Sequence, residues 1–182
     1  MNVEIVREPP VIIIAGSSGS GKTNLLEKLI PEFIRRGFRI GTIKHDVHGF
    51  EIDQPGKDSW RHKQAGASTT IISSSRQIGM IRDVDHDHHL DELASLLSNM
   101  DIVLAEGYKQ LDRPKLEVFR SEIHKEPLLK DDEHLIALIS DTAVDLDVPQ
   151  FSTNDIQGLT GFLITYFSLI PAVPIQQQKT AI

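Results

Sequence analysis

The sequence predicts an α/β fold built on a largely parallel sheet, and three observations predict it. First, three short apolar runs, Val11 to Ala15, Ile102 to Ala105 and Leu135 to Ile139, show no polar alternation. Such runs suit strands buried on both faces. Second, segments with the apolar period of a helix lie between strand-like runs. The clearest is Lys22 to Arg36, where Leu25, Leu26, Leu29 and Phe33 recur. Third, a glycine-rich loop joins the first run to that helix, as in a βα unit.

The remaining elements follow in order. Gly37 is placed to cap the first helix, and Pro31 inside it is expected to kink it. Phe38 to Ile43 reads as the next strand and Asp58 to Ala65 as a short helix with an acidic residue at its start. Thr69 to Ser73 and Gln77 to Arg82 read as a hairpin, Leu90 to Ser98 as a helix and Lys115 to Phe119 as a further strand. Near the end, Ile156, Leu159, Leu163, Tyr166, Phe167 and Ile170 recur at helical spacing, which suits a helix docked on a core. No charge occurs from Ile156 to Gln178. Pro171 and Pro174 nevertheless break the run, and Gln157, Thr160, Thr165 and Ser168 dilute it, so it falls short of the ~20 apolar residues of a spanning helix. Residues 171–182 read as a poorly ordered tail, and residues 1–170 as one nucleotide-binding domain.

Composition narrows the function classes. The chain has 182 residues, a single-domain length. It carries 19 Lys+Arg against 26 Asp+Glu, a net charge of −7. That argues against a nucleic-acid partner held by bulk attraction to phosphate, while a local basic pocket for a small anion stays open. With no cysteine, disulfides, thiolate metal sites and cysteine chemistry are excluded. The N-terminus, MNVEIVREPP, has charges of both signs and no apolar core, unlike a signal peptide. The expectation is a cytoplasmic protein that engages neither membrane nor nucleic acid.

Gly16-Ser17-Ser18-Gly19-Ser20-Gly21-Lys22-Thr23 fits the phosphate-binding loop pattern G-x-x-x-x-G-K-[ST] in full, between a strand and a helix. Glycines let successive backbone N–H groups turn inward toward phosphate oxygens, and the helix start adds its positive dipole end. Lys22 places a cation on the β- and γ-phosphates, and the Thr23 hydroxyl is a ligand for Mg²⁺. The fold class is therefore that of a P-loop NTPase, a three-layer sandwich around a parallel sheet. Such a site needs an acidic group at the end of a second buried strand. Glu106 occupies that place, and Gly107 lets its N–H approach a γ-phosphate. After the second strand a polar loop gathers Lys44, Lys57 and Arg61 with Asp46, Asp53 and Asp58. It reads either as a switch touching the γ-phosphate and metal or as a solvated loop whose charges pair among themselves. Asp85-His86-Asp87-His88-His89 invites a metal reading, but its spacing fits no closed structural site. It also reads as a loop entering the helix at Leu90.

Four runs together resemble one family. GSSGSGKTNLLEKLIP, GTIKHDVHGFEIDQPGKDSWRHKQAGA, VLAEGYK and RPKLEVFR are similar to the molybdopterin-guanine dinucleotide biosynthesis adapter family, MobB, in order over residues 10 to 145. The resemblance implies a homodimeric GTP-binding protein with weak GTPase activity. It would act beside the guanylyltransferase MobA, with molybdopterin a further possible ligand. By motif, Gly16 to Thr23 would hold the phosphates, with Thr23 and Glu106 on Mg²⁺. Lys44, His45 and Asp46 would form a switch-like strand end, and Gly107 would lie beside the phosphates. Asp46 or Glu106 is the candidate for orienting water. The N-K-x-D guanine motif of common GTPases is absent, and Asp141 after Ser140, ending the third apolar run, is the candidate base reader. A metal-insertion GTPase and a P-loop small-molecule kinase are the alternatives. For the dimer surface, Gln77 to Arg82 and the C-terminal helix are the candidates.

Overall fold

The computed structural model describes residues 8–171. In order, the elements are β1 (Val11–Ala15), α1 (Lys22–Arg35), β2 (Ile40–Lys44), α2 (Asp58–Gln64), β3 (Thr69–Ser73) and β4 (Ile78–Arg82). There follow α3 (Leu90–Ser95), β5 (Ile102–Glu106), β6 (Lys115–Phe119), β7 (Leu135–Ser140), β8 (Gln150–Ser152) and α4 (Ile156–Tyr166). Among the described residues, six strands form one sheet in the order β2-β5-β1-β6-β7-β8. Every pairing in it is parallel. β3 and β4 form a separate antiparallel pair. The chain divides into two compact units, Asp46–His89 and the remainder, which carries the six-stranded sheet.

The apolar β1 runs through the middle of the sheet because both of its faces are covered. Ile12 and Ile14 point into a core shared with Leu25, Leu29 and Phe33 of α1 and Leu159 and Leu163 of α4. Val11, Ile13 and Ala15 point the other way, into a second core with Leu90 and Ala94 of α3 and with Leu129. Period-2 alternation turns one apolar run into two cores, which is the three-layer α/β sandwich expected. Burying Ile12, Ile13 and Ile14 completely contributes about 1.5–3 kcal/mol each.

α1 continues through Pro31 for four further residues. It closes at Gly37, as the sequence suggested. The Gly37 N–H donates to Ile34 O (3.0 Å) and the Phe38 N–H reaches back to Phe33 O (3.1 Å). The Phe33 and Phe38 rings meet edge-on at 5.9 Å, the hydrophobic contact that accompanies this type of cap. β8 is an element the sequence did not reveal. Its three residues Gln-Phe-Ser have no strand signature, and they are extended because they pair with Leu138, Ile139 and Ser140. Two helices end earlier than their apolar period suggested, α3 at Ser95 and α4 at Tyr166. No helix among the described residues is long and apolar enough to cross a membrane. Apart from Pro171, the tail expected at 171–182 lies outside the described residues.

In the smaller unit, Asp53 Oδ1 accepts from the Ser59 hydroxyl (3.1 Å) and the Gln54 N–H (2.8 Å). Asp58 lies 3.9 Å from Arg61, and Lys63 is paired with Asp83. For Asp53, Asp58 and Arg61, local pairing is what is observed. His86 Nδ1 lies 2.6 Å from Asp85 Oδ1, and that hydrogen bond holds the Asp85 carboxyl below its ordinary value. The His86 and His88 rings stand 4.6 Å apart.

Candidate functional site

In an open parallel sheet, loops at the carboxyl ends of the strands line the ligand crevice. The register places the predicted residues there. Lys44 pairs with Glu106 across β2 and β5, and Ile14 pairs with Glu106 across β1 and β5. The loop from Gly16 to Gly21 therefore leaves β1 on the same edge as Lys44 and Glu106. The His45 N–H donates to Glu106 O at 3.0 Å, which extends the β2–β5 ladder by one step.

The loop is wound tightly on itself. The Ser20 N–H donates to Ser17 O (3.2 Å), and Leu25 N–H to Gly21 O (2.9 Å) opens the helix. The Lys22 ammonium sits on the carbonyls of Gly16 (3.0 Å) and Ser17 (2.9 Å). A lysine folded over its own loop brings a cation to the space that the loop encloses. Gly16 has φ +137°, and a Cβ there would lie 2.5 Å from Val118 O of β6. Only glycine fits both that conformation and that approach. Ser20 is 2% exposed, and its hydroxyl finds no hydrogen-bond partner among the described residues. A buried polar group left unsatisfied calls for an explanation, and a ligand in the loop is one.

At the end of β5, Gly107 has φ +101°, and a Cβ would approach His45 Cβ to 3.0 Å. Tyr108 follows at φ +51°, a conformation costly for a side chain of that size. Its ring lies 4.9 Å from that of His45. Strain therefore concentrates on the turn beside Glu106. Thr23, exposed in the first turn of α1, and half-buried Glu106 are hard oxygen donors of the kind that suits Mg²⁺.

The two remaining predicted residues, Asp46 and Asp141, make local hydrogen bonds. Asp46, directly after His45, accepts from the His48 N–H at its Oδ1 (3.0 Å). Asp141 directly follows β7, on the carboxyl edge two strands from β1, and its carboxylate accepts from Ser121 N–H (3.3 Å) and Oγ (3.4 Å). One residue was missed. Arg120, just after β6, donates from Nε to Ser20 O at 3.3 Å and stands against Gly21. Its signal was positional, because a residue ending a strand beside β1 must reach the loop, and the strand order is not written in the sequence.

The chain matches the family model described as "Molybdopterin guanine dinucleotide synthesis protein B" over residues 11–141. It is 39% identical over 162 residues to the molybdopterin-guanine dinucleotide biosynthesis adapter protein of Escherichia coli K12, covering 86% of this chain and 93% of that one. Against the adapter protein of Haemophilus influenzae it is 39% identical over 156 residues, covering 85% and 87%. Among solved structures, MobB of Bacillus subtilis shares the fold with a TM-score of 0.69 at 24% identity, covering 90% of this chain and 99% of that one.

Proposed function

The chain belongs to the MobB family of molybdopterin-guanine dinucleotide biosynthesis adapter proteins, and we propose that it serves as the GTP–Mg²⁺-binding adapter beside the guanylyltransferase MobA. The observation that carries the nucleotide reading is the Lys22 ammonium on the Gly16 and Ser17 carbonyls, on the strand edge that also bears Glu106. Backbone N–H groups of Gly16 to Thr23 cradle the phosphates, and Lys22 leaves its two carbonyls to meet the β- and γ-phosphates. Thr23 and Glu106 hold Mg²⁺, which neutralises phosphate charge. The Lys44–His45 strand end and Gly107 close over the terminal phosphate. Hydrolysis is weak in this reading, because the sequence shows no clear water-positioning Gln or arginine finger of the kind fast GTPases rely on. The net charge of −7 is no obstacle, since the site needs only backbone dipoles, one lysine and a metal ion.

Calorimetry with GTP, GDP and ATP, with and without MobA, tests this reading. GTP–Mg²⁺ should bind more tightly than ATP–Mg²⁺, and MobA should bind. Lys22→Met should weaken GTP about tenfold to a hundredfold, the range expected for charge-assisted hydrogen bonds. Turnover of GTP alone should stay near the ~10⁻⁴ to 10⁻² s⁻¹ of unassisted GTPases. Absence of both guanine preference and MobA binding would sink the reading, and phosphorylation of a small acceptor would replace it with a kinase.

The homodimer is a proposal supported by the hairpin. Ile71, Met80 and Ile78 share one face of β3–β4, by the register Ile71↔Met80 and Ser73↔Ile78, and are 61%, 51% and 75% exposed. α4 spends its apolar side on its own core through Leu159 and Leu163. The hairpin is therefore the better of the two candidate surfaces. Light scattering should give twice the chain mass for the wild type and the monomer mass for Ile78→Lys/Met80→Lys. A monomeric wild type, or a double variant that stays dimeric, would remove the hairpin from the interface.

A further inference from the structure

A cavity of about 160 Å³ opens beside the loop, between the first two turns of α1 and the ends of β6, β7 and β8. It adjoins Ser20 and Gly21 at one end and Lys28, Thr153 and Asn154 at the other. Asn24 and Lys28, four residues apart on one face of α1, run along it. The floor is apolar, made by Leu25, Val118 and Ile139. Arg120 closes the loop end with its bond to Ser20 O. At the far end Lys28 Nζ donates to Asn154 Oδ1 at 3.2 Å. The cavity is smaller than the ~300–1,000 Å³ of sites that enclose a whole small molecule. It suits one end of a ligand whose other end lies in the loop. Ser20, whose buried hydroxyl has no hydrogen-bond partner among the described residues, belongs to both the loop and the cavity lining.

We propose that this cavity takes the base of the nucleotide and selects guanine, with Lys28 and Asn154 as its specificity-determining residues. The inference rests on the nucleotide reading of the loop and adds where the base goes and what reads it. Leu25, Val118 and Ile139 belong to the core and are nearly fully buried, so they bound the cavity and leave recognition to the polar groups at its rim. The far end is rich in donors. Lys28 has three N–H groups and no acceptor, and with its carbonyl held by Lys28 the Asn154 amide is left with its NH₂. Guanine offers acceptors at O6 and N7, which a lysine can engage together, whereas adenine sets an amino donor where guanine has O6. Adenine would thus face Lys28 donor to donor. Arg120 belongs to the phosphate end of the cavity and carries no base discrimination. The lining among the described residues does not include Asp141, so this arrangement selects guanine without a carboxylate reader.

Titration calorimetry with GTP–Mg²⁺, ATP–Mg²⁺ and inorganic tripolyphosphate separates the base term from the phosphate term. The proteins are the wild type, Lys28→Met, Asn154→Ala and Asp141→Asn. Lys28 and Asn154 are exposed, so the variants should melt with the wild type. Expected are a wild-type preference for GTP, a GTP loss of about tenfold in Lys28→Met and Asn154→Ala, and a GTP:ATP ratio that falls in both. Tripolyphosphate binding should stay within about threefold and Asp141→Asn should match the wild type. An unchanged GTP:ATP ratio in both cavity variants would overturn the inference and leave the loop reading standing. So would tripolyphosphate losses equal to the GTP losses, or a loss of preference confined to Asp141→Asn. A wild type that binds neither tripolyphosphate nor nucleotide would overturn both.

Discussion

Gly16→Ala should destabilise the chain by about 2–6 kcal/mol and weaken GTP at least tenfold. Two independent costs converge on one atom. The backbone stands at φ +137°, where a side chain costs about 1–3 kcal/mol of strain. The added Cβ would also lie 2.5 Å from the Val118 carbonyl and 2.7 Å from Ser20 Oγ, which adds about 1–3 kcal/mol of overpacking. The carbonyl cannot yield cheaply. Val118 O is backbone of β6, the strand paired with β1, whereas the Ser20 hydroxyl holds no hydrogen bond among the described residues and can turn aside. If the loop moves instead, the Gly16 and Ser17 carbonyls that seat Lys22 move with it. Urea denaturation with calorimetry measures both effects. A variant within about 0.5 kcal/mol of the wild type, with unchanged GTP affinity, would show that this edge of the sheet opens freely.

Asp132→Asn should cost about 3–5 kcal/mol at neutral pH by stranding a buried ammonium. Lys115, the first residue of β6, is 2% exposed, and its Nζ lies 2.6 Å from Asp132 Oδ2. The pair sits at the amino ends of β6 and β7, the edge opposite the loop, so the effect should fall on stability rather than nucleotide binding. Asp132 Oδ1 also accepts from the His134 N–H at 2.8 Å. Burial pushes the Asp132 carboxyl up, but the Lys115 and His134 hydrogen bonds and charges outweigh it, and the net shift is below the ordinary 3.8. A lowered folded-state value means the stabilisation is full above about pH 4 and is lost as pH falls through that lowered value. The gap between wild type and Asp132→Asn in urea should therefore be widest near neutrality and shrink in acid. Lys115→Met/Asp132→Asn should recover most of the loss, because no charge is then left buried. A constant gap across pH, or no recovery in the double variant, would refute the account.

The elements legible in the sequence are those whose signal is local. α1 could be read to within a residue because its period, its apolar face and Gly37 agree, and β6 was placed at its observed bounds. β1 could be read because an unbroken apolar run has no other use in an α/β chain. β8 could not, since three residues carry no period and only pairing with β7 makes them a strand. The Asp46 to His89 segment read as a loop, a helix and a hairpin, but nothing local says that these cohere as a unit of their own.

The candidate site divides in the same way. Gly16 to Thr23 could be found by spacing, because a backbone cradle demands glycines at fixed intervals along one stretch of chain. Glu106 could be assigned a part by its place after an apolar run, but its pairing with Lys44 is a fact of register. Arg120, Lys28 and Asn154 have no motif. They come together because β6 pairs with β1 and because β8 brings Asn154 over α1. By itself, then, the sequence determined the fold class, the phosphate loop and the family, all of which depend on residue order within short segments. The tertiary structure alone decided which strand ends neighbour the loop and which side chains surround the cavity beside it. The physical reason is that strand order and register are settled by the joint burial of both sheet faces. That sum runs over the whole chain, and no single segment records it.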